Sequence, residues 1–275
     1  MTDNIKANEL PESQCVGGQS GAHCYIISVS YGNDSIALIQ WAHEQGLENC
    51  YVVYCDTGWA HPNWHKRVSA GSMLAEKYGF ECLTAKSEMT FSELVRAKRG
   101  FPGQKYQFCS GVLKGVPFLE KANSLDPENK AVVVIGKRRA ESNNRKDTPE
   151  FVYNSEYHEC RTVWHPLYKH TDTERNNLIQ KTGMEVLPNR SMECCPCVNA
   201  NRKDLLETPE SQLEKVRQLE LETGKTMFRP YRHMGATGID EVLKWATSDT
   251  GKYHKGQMLL WNHLGEYCHS GLCGI

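Results

Sequence analysis

Four short runs of apolar and β-branched residues, each followed by an amphipathic stretch, constrain this chain more than any other feature. They are CYIISVS (24–30), NCYVVYCDTG (49–58), FECLTAK (80–86) and KAVVVIG (130–136). Between them, apolar residues recur at helical spacing over 35–46, ending at Gly46, and over about 64–78, ending at Gly79. Two further helices are expected over about 90–98 and 111–123. Alternation of this kind builds right-handed βαβ units, and so predicts an α/β fold with a doubly wound, mostly parallel sheet covered on both faces. Ligands in such sheets gather beyond the carboxyl ends of the strands. The polar signatures fall there: Ser30–Ser35, Asp56-Thr57-Gly58 and Gly136–Arg145.

The chain has 275 residues and a formal charge of −1 from 32 Lys+Arg and 33 Asp+Glu. Near-neutrality argues against a general duplex-DNA binder, although a local basic groove is compatible with it. No apolar run approaches the roughly 18 residues needed to span a bilayer. Met1–Gln14 is polar and lacks a hydrophobic signal core, which predicts a cytoplasmic protein. The texture divides the chain into a loose polar arm (1–22), a nucleotide-binding-type α/β domain (23–190) and a cysteine-rich helical appendage (191–275). The appendage opens on ECCPC and contains an expected charged helix over about 202–223.

Ser28-Val-Ser-Tyr-Gly-Asn-Asp-Ser35 joins the first strand to a helix. The physics suits an anion: Gly32 permits a tight turn, backbone N–H groups point outward, and Ser30 and Ser35 add hydroxyls. Asp34 orders the loop or holds a magnesium ion if a triphosphate binds. A plainer alternative is that Asp34 or Ser35 caps the helix.

The loop resembles the SGGxDS phosphate loop of the adenine nucleotide α-hydrolase (PP-loop) superfamily, with Tyr31 where the first glycine usually stands. Cys55-Asp56-Thr57-Gly58 resembles the D-T-G of one branch, the phosphoadenosine phosphosulfate (PAPS) reductase family. Gly136-Lys-Arg-Arg-Ala-Glu-Ser142 with Arg145 is similar to that family's G-x-R-x-x-E-S-x-x-R, and Cys109 to Pro117 to its C-x-x-x-L-K-x-x-P. The segment 188–203 is similar to one found in phage- and plasmid-type members. The resemblance implies an adenine nucleotide over the first strands, with Ser28, Ser30, Gly32, Asp34 and Ser35 at the phosphates and Asp56, Thr57 and Gly58 beside the nucleotide. It also implies Gly136, Arg138, Arg139, Glu141 and Ser142 in a second binding loop, Glu141 ordering it, with Lys114 and Arg145 supplying charge to phosphate or sulfate. For the Lys137–Arg139 run, a solvated basic loop is the plain alternative.

Twelve cysteines in a chain expected to sit in a reducing compartment point to metal or redox chemistry rather than disulfides. Cys24, Cys50, Cys55 and Cys82 lie in strand-like runs and read as small buried apolar residues. Cys194 and Cys197 form one CxxC pair; Cys268 and Cys273 form a second pair near the end. Together they suit a four-thiolate site for a 4Fe-4S cluster or for zinc, with Cys109 a fifth candidate for four positions. Cys273-Gly-Ile also resembles the mobile tail of sulfonucleotide reductases, whose cysteine attacks sulfur, although Leu272 replaces the family's Glu and the final His is missing. Cys273 is therefore nucleophile or ligand.

Two chemistries follow. The first is thiol-dependent reduction of PAPS or adenylyl sulfate to sulfite, with thioredoxin or glutaredoxin as partner. The second is an ATP pyrophosphatase that adenylates an acceptor for sulfur or nitrogen transfer to a nucleic-acid base or a small molecule, with magnesium at Asp34. Met227–His233, basic and aromatic, is a candidate contact for a nucleic-acid acceptor. No oligomeric state is legible.

Overall fold

The computed structural model describes residues 24–228 and 238–248. The expected arm over 1–22, most of the basic aromatic stretch, and Cys268 and Cys273 lie outside the described residues.

Six strands form one sheet in the order β3-β2-β1-β4-β6-β5. They are β1 (Tyr25–Val29), β2 (Cys50–Asp56), β3 (Glu81–Lys86), β4 (Val132–Ile135), β5 (Phe151–Val152) and β6 (Thr162–Trp164). All pairings are parallel except that of β5 with β6. Every residue of β1 is buried because it lies between β2 and β4 under both helical layers. Its period of two divides it between two cores. Tyr25, Ile27 and Val29 pack with Val52, Val134 and helices α1 (Asn33–Glu44), α2 (Trp64–Lys77) and α6 (Asp172–Lys181). Ile26 faces the other way, with Val53, Val133 and Phe118.

The opposite layer is α5 (Val116–Leu125), which continues α4 (Phe108–Ser110) through a π-helical turn at Gly111–Gly115. The helix expected over 111–123 therefore begins earlier and carries an irregular turn. A third cluster joins Trp59, α3 (Phe91–Lys98), Leu113 and the helices that follow the cysteine motif. Those helices correct the sequence reading, because the single charged helix expected over 202–223 is two, α7 (Arg202–Leu206) and α8 (Glu210–Thr223). Pro209 lacks an N–H and biases residue 208 away from helical backbone, so the first helix ends and a new one starts. α9 (Ile239–Thr247) completes the cluster.

After β3, at one edge, the chain crosses to β4 on the far side of β1. The topological switch therefore lies between β1 and β4, and the crevice at their carboxyl ends is where such sheets bind ligands. The loops that follow these two strands nearly touch: a Cβ at Gly136 would lie 3.0 Å from the Asp34 carbonyl oxygen. Among the described residues no helix is long and apolar enough to cross a membrane.

Candidate active site

Beyond β1 the chain turns through Ser30–Gly32 into α1. The Ser30 N–H donates to Ser35 Oγ (2.9 Å), the two hydroxyls lie 3.2 Å apart, and Gly32 N–H donates to Ser30 Oγ (3.3 Å). Neither Asp34 nor Ser35 caps α1; its N-cap is Gly32, with no side-chain hydrogen bond. The uncapped first turn leaves N–H groups for an anion at the positive end of the helix dipole. Ser28 is buried within β1 itself.

Asp34 faces Arg138. The Arg138 Nε donates to Asp34 Oδ1, while its other nitrogens donate to Asp172 Oδ1 (2.9 Å) and the His170 carbonyl (3.0 Å). Arg138 is 1% exposed, so this member of the basic run is a buried counter-ion rather than a solvated side chain. Burial works against its charge, but the two aspartates hold its pKa above the ordinary arginine value. Arg175 approaches the same carboxylates, 3.3 Å from Asp172 and 3.9 Å from Asp34. Arg139 lies over the Tyr168 ring at 4.9 Å and donates to the Thr148 carbonyl. Arg145 donates to Glu141, whose carboxylate also accepts from the Arg138 N–H. Glu141 thus orders the turn, and Ser142 beside it is exposed.

At the end of β2, Asp56 accepts from the Gly58 N–H (2.9 Å) and lies 4.0 Å from Lys86. Thr57 is buried and donates to the Glu193 carbonyl (2.8 Å). Residues 187–197 form a strap across these strand ends. The Asn33 side chain exchanges two 2.9 Å hydrogen bonds with the backbone of Leu187, Ser191 lies against Gly32, and the Met192 carbonyl accepts from the His61 N–H. Trp59, fully buried, donates from Nε1 to the Pro196 carbonyl (3.0 Å) and accepts at its own carbonyl from the Cys195 N–H (2.8 Å). Gln212 donates to the Cys195 carbonyl (3.0 Å). The cysteine turn, with its cis Cys195–Pro196 bond, is so anchored to the sheet edge. Trp59 and Trp64 therefore belong to packing.

Lys114 sits in the π-helical turn, and its Nζ donates to Glu193 Oε1 at 2.5 Å. Both side chains are largely buried. Burial opposes the lysine charge, but Glu193 and the sulfurs of Cys194 and Cys197 raise its pKa above the ordinary value. The neighbouring thiols are raised as well: burial pushes Cys109 up to about 11 and Cys194 up to about 12, with Lys114 pulling both back. Cys195 is buried and hydrogen-bonded to Thr208. Cys109, Cys194 and Cys197 pack on the same cluster, and Cys197 raises the pKa of the other two further. Even so, no three His, Cys, Asp or Glu side chains among the described residues stand close enough to hold a metal ion. The other two candidate ligands, Cys268 and Cys273, lie outside the described residues.

Sequence reasoning missed Asp172, Arg175, Asn33 and Glu193. Only Asn33 carried a signal, its place inside the loop; the others are brought in by α6 and the strap.

A doubly wound sheet whose switch point carries a serine-lined loop, with D-T-G at the next strand and G-x-R-x-x-E-S across the crevice, is the arrangement of the PP-loop adenine nucleotide α-hydrolase class. Residues 24–191, more than half of the chain, match the phosphoadenosine phosphosulfate reductase domain, and the chain belongs to that family. No curated protein sequence matches the chain. Among solved structures it is similar to phosphoadenylyl-sulfate (PAPS) reductase from Candida auris in a phosphate complex (13% identity, 58% of this chain and 73% of that one, TM-score 0.41). It is also similar to NMN synthetase from Francisella tularensis (12%, 85% and 88%, 0.44). A third is U34-tRNA thiolase NcsA from Methanococcus maripaludis with its 4Fe-4S cluster (15%, 83% and 82%, 0.41). These likenesses are distant, and the three proteins differ in reaction.

Proposed function

We propose that the chain is a thiol-dependent reductase of a sulfonucleotide, PAPS or adenylyl sulfate, releasing sulfite. The observation that carries this reading is the Arg138–Asp34 pair. A loop that cradles a magnesium triphosphate through its carboxylate needs that carboxylate open to the metal. Here Asp34 Oδ1 already accepts from a buried guanidinium, whose other two nitrogens donate to Asp172 and the His170 carbonyl. What the loop offers instead is hydroxyls and N–H groups, which suit a sulfate–phosphate anhydride bound without metal.

In this reading the anionic end of the nucleotide lies at Ser30, Gly32, Ser35 and the first turn of α1, with Asp56, Thr57 and Gly58 beside the nucleoside. Gly136, Glu141 and Ser142 shape the second loop, from which Arg139 and Arg145 reach the sulfonyl group. Lys114 supplies fixed positive charge at the cysteine end. The Cys273 thiolate attacks the sulfur, the sulfur–oxygen bond to the phosphate breaks, and the adenosine phosphate leaves with the electron pair. A dithiol protein of the thioredoxin or glutaredoxin type then attacks Cys273 Sγ. Sulfite leaves with the sulfur–sulfur electron pair, and the second thiol of the partner resolves the mixed disulfide. Two electrons pass from dithiol to sulfur, and the partner ends as a disulfide. No step requires a metal centre at Cys109, Cys194 and Cys197.

Sulfite release tests this, on anaerobically purified protein given each sulfonucleotide and reduced thioredoxin. Release lost in Cys273→Ser supports it. One observation favours the second reading: Tyr31 adopts φ 57°, so the loop keeps the turn a glycine would make there. Magnesium-dependent exchange of pyrophosphate into ATP, with no sulfite, would replace reduction by adenylation.

A further inference from the structure

Two residues break local rules. Tyr31 takes a left-handed backbone (φ 57°), which a side chain disfavours, and Gly71 sits in the middle of α2, where glycine weakens a helix. Each accounts for the other. The Tyr31 ring lies in the slot that Gly71 leaves: a Cβ there would stand 2.8 Å from Cε1, 3.1 Å from Cγ and closer still to Cδ1. The ring packs against Tyr54 (centroids 5.6 Å apart), and the Tyr31 hydroxyl meets Ser72 Oγ at 2.8 Å. The Tyr31 carbonyl accepts from Arg67 Nε (3.2 Å), and Arg67 in turn donates to the Glu185 carbonyl (2.8 Å). Arg67 and Gly71, four residues apart, share one face of α2, and Ser72 follows on its flank. Tyr31 itself is 1% exposed, turned under the loop and away from the anion side.

We propose that Tyr31 is a positioning residue: its ring, docked in the Gly71 slot of α2, holds the phosphate loop in the turn that receives the nucleotide. Here helix packing enforces a conformation that glycine loops reach by conformational freedom. The inference rests on the reading that this loop binds the anionic end of an adenine nucleotide, but not on which reaction follows.

The test is equilibrium binding of PAPS, adenylyl sulfate and ATP to the full chain, with far-UV circular dichroism as the folding control. Gly71→Ala is expected to lose affinity by about tenfold or more, because the methyl displaces the ring. In a Tyr31→Gly background the same alanine is expected to cost less than about twofold, a non-additivity that general destabilisation does not produce. Tyr31→Phe, which keeps the ring, is expected to stay within about threefold of wild type, and Tyr31→Gly to lose several-fold. If Gly71→Ala does not fold, the Tyr31→Gly and Tyr31→Phe pair carries the comparison. Wild-type affinity in Gly71→Ala, or in Tyr31→Gly, overturns the positioning role. Failure of the wild-type chain to bind any of the three nucleotides removes the functional reading, and the inference with it.

Discussion

Replacing Arg138 with alanine removes the group that neutralises the phosphate loop. Arg138 is buried and bonded to Asp34, Asp172 and the His170 carbonyl, so its loss strands one carboxylate in the crevice and a carbonyl behind it. Breaking a buried pair from one side costs about 3–5 kcal/mol. Asp34 keeps 26% of its side chain exposed and has Arg175 at 3.9 Å, which moves the expectation below that range, to about 2–3 kcal/mol. In a chain of this size that is a fall in melting temperature of roughly 5–10 °C. Urea unfolding of Arg138→Ala, Asp34→Asn and the double variant gives the coupling directly. With Asp34 as asparagine there is no stranded charge, so the second substitution is expected to restore at least about 1 kcal/mol. Additivity within about 0.5 kcal/mol would refute the claim that the two side chains act as a pair.

Two other outcomes are expected. Lys114→Met leaves Glu193 buried without its partner and is expected to destabilise by about 3 kcal/mol, read by urea unfolding, whereas Lys114→Met/Glu193→Gln costs less than the single change. His158 and His165 are both held at about 4, mainly by burial, with neighbouring positive charges adding to it. Their folded pKa values lie below the unfolded value near 6.5, so the unfolded chain binds more protons and stability falls as pH drops from about 6.5 to about 4. Each histidine contributes up to roughly 3 kcal/mol to that fall, and His165→Gln is expected to flatten the pH–stability curve over that window.

The centre of the fold was legible because β1, β2 and β4 are short apolar runs between turn residues, a pattern that buried parallel strands impose. The far edge was not. β5 and β6 are two and three residues long, too short for periodicity, and are held by pairing to a neighbour rather than by their own composition. α6 is polar along most of its length and escaped the search for apolar spacing, although its capping box, Thr171 with Glu174, was there to be read. At the site, the serines and Gly136 lie where the motifs put them in sequence. What sequence could not convey is who answers whom across the crevice. Arg138 reads in sequence as a ligand for the anion, with a solvated loop as the alternative; its partners Asp34 and Asp172, 104 and 34 residues away, are set by the fold. Glu193 reaches Lys114 across 79 residues for the same reason.

Transfer of sulfur to the protein separates the two chemistries most directly. The full chain, purified anaerobically and mixed with PAPS or adenylyl sulfate labelled in the sulfonyl group but without any dithiol, is expected to retain label covalently on Cys273. Reduced thioredoxin should then discharge it as sulfite. The account predicts the same yield with magnesium present or chelated, since Asp34 is held by Arg138. Absence of labelled protein, together with magnesium-dependent exchange of pyrophosphate into ATP, would contradict it.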